Sequence, residues 1–274
     1  MSWNDLPPTD RKRLQELANG IGRLIEPTLR AAEGFARNVQ PVVKTIGEVA
    51  QALKPVFDTV AVIARHSHQC EMLDKAGWLP HRTSPFELLQ ENLAWNSDEV
   101  RQKVDAYYRE NWEWISAEFL SAVEDASIDD EAKMTFGEAI TAHGHGLYRV
   151  APRLLFPEVE RIVGDILHKD EGMPRKISSL RKLADVADEY LPGSIAALNF
   201  HKRLRGHLYE HIKSSEDLAG IVDDPIPNRH AVVHGLVSYK TAQSSINAMI
   251  LTLYIFQMLS VYLERDAKEA SLSQ

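Results

Sequence analysis

Pro227-Asn228-Arg229-His230-Ala231-Val232-Val233-His234-Gly235 is a short run, rich in ionisable and polar side chains and stopped by glycine. Pro225 and Pro227 fix the backbone just upstream, and proline suits a first helical turn, where its missing N–H costs nothing. Asn228 is placed to cap the amides that follow. Gly235 is placed to stop the helix. The pattern predicts a helix of two turns at most, bearing Arg229, His230 and His234. His230 and His234 are four apart and share a face. Arg229 lies about 140° from His234 at 3.6 residues per turn, within reach if it sits in a frayed first turn. Histidine exchanges protons near neutral pH, and arginine presents a permanent planar charge to a phosphate. A helix N-terminus adds oriented N–H groups. The trio therefore suits phosphodiester chemistry. The plainer alternative is a capped surface turn whose histidines are incidental.

The string Asn-Arg-His-Ala-Val-Val-His-Gly at 228–235 resembles the R-x(4–6)-H signature of HEPN domains, in which a polar residue follows the arginine. Three flanking stretches extend the resemblance over roughly residues 130–266. Tyr148-Arg149 and Leu155 to Ile162 resemble the first long helix of one bacterial HEPN group. Asn199 to Ile212 resembles its basic helix, and Ser238-Tyr239 to Tyr262 its last helix. The resemblance implies a helical bundle and, for many members, a metal-independent ribonuclease acting as a toxin or an antiviral defence effector. It implies Arg229 and His234 as catalytic residues, with Asn228 and His230 positioning them. Toxins of this family that pair with nucleotidyltransferase antitoxins usually carry a tyrosine two residues after the histidine. Here Gly235 and Leu236 follow His234, and the nearest tyrosine is Tyr239, a supporting residue in this reading.

The 274-residue length is enough for one or two domains and a sizeable core. A net charge of −8 argues against a general nucleic-acid coat protein, but it leaves room for a local basic groove. One cysteine, Cys70, excludes an internal disulfide and fits a reducing compartment. With no uninterrupted apolar run of 18 residues and a polar, proline-rich start, a cytoplasmic protein is expected. His66-Ser67-His68-Gln69-Cys70 has no recognised zinc spacing, so neither metal nor cofactor is expected.

Helical periodicity dominates and strand signals are nearly absent. The expected class is all-α: an N-terminal amphipathic helical region followed by a HEPN-like bundle. Residues 1–126 form the first region and 127–266 the bundle, with a tail at 267–274. Within 10–65, Pro27, Pro41 and Pro55 recur every 14 residues. This amphipathic arm packs on the body, or faces a partner or a membrane. Its mixed-charge polar face weakens the membrane version. Residues 97–126 read as one helix capped by Ser97, with an aromatic surface suited to core packing. The acidic stretch Ser127 to Glu131 reads as the domain boundary. Residues 131–168 read as one helix bent near Pro152 and Pro157, with Glu158 and Glu160 able to face the motif. A helix from Ser194 to Lys213 carries Lys202, Arg203, Arg205 and His207, a local positive charge suited to an RNA groove. Thr241 caps the last and most apolar helix, Ala242 to about Arg265.

The function expected is an endoribonuclease acting by attack of the ribose 2′-OH on the adjacent phosphate, with no metal. DNA lacks that hydroxyl and is not expected as a substrate. The alternative is a non-catalytic HEPN module that binds RNA or a nucleotide, or dimerises. A homodimer with facing motifs is expected, and an antitoxin or defence partner fits the family's habits.

Overall fold

The computed structural model describes residues 61–167 and 210–272, together with Glu26, Pro27, Gln51, Lys54, Asp58, Arg203, His207 and Leu208. Two compact units divide at Val62/Ile63. The arm expected over 10–65 falls almost wholly outside the described residues, as does most of the helix expected over 194–213. In the first unit an exposed Lys54–Asp58 pair spans 2.7 Å, an i,i+4 contact that contributes little in water. Everything below concerns the second unit.

Its described residues form helices and no strands, an all-α arrangement. The helices are α1 (63–75), α2 (Phe86–Glu91), α3 (Ser97–Glu110), α4 (Trp112–Glu124), α5 (Asp130–Gly144), α6 (Val150–Leu167), α7 (Ser215–Ala219), α8 (Arg229–Val233) and α9 (Ala242–Leu272). The acidic stretch Ser127–Glu131 is not a domain boundary but the turn between α4 and α5. Leu73, Val104, Ile115 and Phe119 from before it share one buried core with Phe136, Leu155, Met249 and Phe256 from after it. The aromatic stripe of 97–126 needs that later partner, which is why the chain does not divide there.

Two helices expected to be continuous are broken. Asn111 interrupts 97–126, its side-chain amide donating to Tyr107 O at 2.8 Å. Asparagine competes for backbone groups in this way and favours caps over helix interiors. The cap of α3 is Asn96 rather than Ser97: it accepts from Asp98 N and Glu99 N, and Glu99 answers back to Asn96 N. The second break is at Gly144-His145-Gly146, where Gly146 takes φ +74°. The chain then re-enters helix at Val150, with Pro152 in the first turn and Pro157 inside α6. Asp129 caps α5 and also receives Arg161 of α6, so one carboxylate joins the start of α5 to the C-terminal half of α6.

α9 is the central element, packing on α4, α5 and α6. Its first turn is held by Thr241, whose Oγ1 accepts from Ser244 N at 3.1 Å, and it runs on to Leu272, beyond the expected Arg265. Its stretch Ala242–Lys268 is long and apolar enough to cross a membrane, but two thirds of the apolar window is buried within the fold, as befits a core helix. Asn247 is fully buried on it. It accepts from Leu79 N at 3.0 Å and donates to Gly77 O at 2.8 Å and Pro225 O at 3.3 Å. Gln243, one turn earlier, donates to Ala76 O and Gly77 O. These two amides tie the turn after α1 and the loop before α8 to the central helix. The loop entering the motif therefore hangs from the core.

Candidate active site

α8 is a single helical turn, too short to persist alone, and its ends are closed by specific bonds. Asn228 is completely buried. Its Oδ1 accepts from Ala231 N at 2.9 Å as the N-cap. Its amide donates to the carbonyls of His207 and Glu210, and its own N–H donates to the Tyr239 hydroxyl at 3.0 Å. At the other end Leu236 N donates to Ala231 O at 2.8 Å and Gly235 N to Val232 O at 3.2 Å. That pair of bonds is a Schellman motif, and it requires the left-handed φ of +67° at Gly235. The cap and stop expected from the sequence are both in place, and α8 packs on α6.

This frame brings Arg229, His230 and His234 together. The rings of His230 and His234 lie with centroids 4.4 Å apart. His211, before α7, meets His230 edge-on at 5.1 Å. His230 Nδ1 is buried and has no hydrogen-bond partner among the described residues. Burial holds the His230 ring below its usual pKa, and neighbouring His234, His211 and Arg229 push the same way. His234 caps the C-terminal end of α8 and is exposed. Arg229 is mostly buried, and its Nε meets the Glu160 carboxylate of α6. Among the described residues no partner meets its two terminal amino groups, which leaves them able to grip an anion.

The supporting residues separate. Glu160 belongs to the site. Glu158, two residues earlier, points instead to Arg161, which also binds Asp129 and Asp165; two residues on a helix are about 200° apart. Tyr239 acts through the backbone by anchoring Asn228, and burial pushes its hydroxyl up to about 12, so it stays protonated. Of the residues expected to line an RNA groove, Lys202 and Arg205 lie outside the described residues. Arg203 is committed to Asp74 at 2.9 Å and Asp224 at 3.1 Å. His207 is buried, with Nε2 at 2.7 Å from Ile226 O. Both hold the loop that leads into α8 rather than offering charge to a ligand. Residues 210–213 are not helical, so the basic helix stops before Lys213.

Three contributors escaped the sequence reading: His211 as a neighbour of His230, and Asn247 and Gln243 as anchors of the approach loop. A histidine four residues after His207 was visible, but nothing local paired it with a residue 19 positions later.

Comparison with family models, with curated proteins and with solved structures yields no match for this chain.

Proposed function

We propose that the chain is a metal-independent endoribonuclease on a HEPN-like helical bundle, a toxin or antiviral defence effector working in the cytoplasm as a homodimer. One observation carries the reading: an arginine and two histidines, His230 and His234, share one rigidly capped helical turn, with a third histidine against them. In the reaction, the 2′-OH attacks the adjacent phosphorus and the bond to the 5′ oxygen breaks, leaving a cyclic phosphate and a free 5′-OH. His234 exchanges the protons, and Arg229 holds the phosphate and offsets its growing charge. His230 and Asn228 set the positions of both.

The test is cleavage of single-stranded RNA in chelator by the wild type, Arg229→Ala and His234→Ala. Loss in both variants is expected, and equal cleavage by all three removes the assignment.

A non-catalytic RNA- or nucleotide-binding module is the competing reading. It draws on the Glu160 carboxylate, which neutralises Arg229 where a phosphate would sit. RNA binding that depends on Arg229, without cleavage under any condition, selects it.

A further inference from the structure

Away from α8, the helices α3, α4, α5 and the start of α9 enclose a cavity of about 190 Å³. Whole-ligand pockets run to roughly 300–1,000 Å³, so this one takes a single ring system, with the rest of a ligand outside. One wall is a row of aromatic rings. Trp112 lies 4.0 Å from His143 between centroids, and Tyr148 lies 4.9 Å from the same ring. His143 is buried and spends Nδ1 on the Ser245 hydroxyl at 2.8 Å, which leaves Nε2 without a partner among the described residues. Asp105 also lines the cavity. It makes no hydrogen bond or close ion pair among the described residues; Arg109 and Arg101 act on it only from longer range. Arg109, one helical turn on, is an exposed residue on the cavity's rim.

We propose that this cavity is a guanine-base site, in which the two Asp105 oxygens accept the base's ring N–H and exocyclic amino group while the base stacks on the Trp112 and Tyr148 rings. Among nucleobases only guanine sets two donors side by side on one edge, the match for an ionised carboxylate. In the tautomer that accepts from Ser245, His143 Nε2 carries a proton for the acceptors on the base's other edge. Aromatic faces hold any base by stacking, so Asp105 supplies the choice. Arg109 at the mouth disfavours a bare cation and suits the phosphate or sugar that follows the base. Burial pushes the Asp105 carboxyl up, so binding weakens as pH falls. The inference stands apart from the ribonuclease reading: the base comes from a free nucleotide or from an unpaired residue of RNA.

The experiment is calorimetric titration of the full chain with guanosine 5′-monophosphate, against the adenosine and uridine monophosphates and choline. A short single-stranded RNA with one guanine is run against its adenine twin. Saturable guanine binding is expected, about tenfold or more tighter than the other bases, since one charged bidentate contact is at stake. Asp105→Asn should erase that preference, and Tyr148→Ala should weaken all bases alike; thermal melts confirm that both variants fold. Guanine preference in the RNA pair alone assigns the base to RNA, and preference for the monophosphate assigns it to a free nucleotide. No guanine preference in either arm, tighter binding of choline, or loss in Arg229→Ala but not in Asp105→Asn each overturns the site.

Discussion

The Glu160 carboxylate on α6 meets Arg229 Nε on α8, so the guanidinium that the proposed reaction needs is already engaged by a carboxylate of the same chain. An RNA phosphate must share or displace that partner. Glu160→Gln keeps the shape and removes the charge. Loss of a partly buried ion pair should lower stability by about 1–2 kcal/mol. The affinity for single-stranded RNA should rise by about three- to tenfold, since like charge no longer faces the phosphate. Fluorescence anisotropy reads the affinity; an unchanged or weaker value would separate Arg229 from phosphate binding.

Asn228 and Tyr239 act on the motif through its backbone. Tyr239→Phe strands the buried Asn228 N–H, a cost of about 1–3 kcal/mol. Asn228→Asp retains the cap on Ala231 but points a second oxygen at the carbonyls of His207 and Glu210. It should therefore destabilise more than Asn228→Ser, which keeps a cap and simply drops those bonds. Urea denaturation ranks the three variants. If Asp is the milder replacement, the amide does not face those carbonyls.

The motif was legible because its grammar is local. Asn228 as cap, Gly235 as stop and the shared face of His230 and His234 each depend on neighbours within a few residues. What the sequence hid depends on distance along the chain. Arg203 looked like a cation awaiting phosphate, yet its partners Asp74 and Asp224 lie 129 and 21 residues away. Asn247 sat unnoticed in the most apolar helix, because a buried amide is only intelligible once Gly77, Leu79 and Pro225 are beside it. The breaks at Asn111 and Gly146 were missed because apolar periodicity runs straight through both. The all-α class survived these errors, since it rests on the summed pattern rather than on any boundary.

Two buried histidines outside the site set an acid limit. Burial lowers His81 and His143 from 6.5 to about 4. Each is neutral in the fold at pH 7, and the unfolded chain binds the proton first as pH falls. Their stabilisation is therefore complete above about pH 6.5, declines between 6.5 and 4, and is gone below that, on the order of 3 kcal/mol each. Urea midpoints at pH 7.5, 6 and 5 should fall in that order. His143→Gln should flatten part of the slope; an identical slope in that variant would assign the acid sensitivity elsewhere.

Two left-handed glycines separate conformation from space. Gly235 at φ +67° has nothing within 4 Å of an added Cβ, whereas at Gly77, φ +74°, that carbon would lie 2.3 Å from Pro225 Cγ. Gly235→Ala should cost only the backbone term, about 1–2 kcal/mol. Gly77→Ala adds a collision with the loop that carries α8 and should cost clearly more. Equal thermal shifts would mean that Pro225 yields freely and that this loop is not fixed by the turn after α1.

The proposed homodimer rests on what one α8 lacks. A complete cleavage needs both a base and an acid, and His230 is held below its ordinary pKa beside His234, so the second protonated group is best supplied by another copy. Val233 and Leu236 lie on either side of His234 and are each 43% exposed, apolar surface that a two-fold contact would cover. Arg229 from each copy would bring opposing positive charge, which the two Glu160 carboxylates temper. Light scattering at micromolar concentration should give twice the chain mass, and Val233→Glu with Leu236→Glu should return it to the monomer and abolish cleavage. Mixing Arg229→Ala with His234→Ala provides the sharper measurement. If each composite centre draws its arginine from one copy and its histidine from the other, some mixed dimers regain an intact centre and cleavage reappears. A strictly monomeric wild type that cleaves at full rate would place every catalytic group within a single chain.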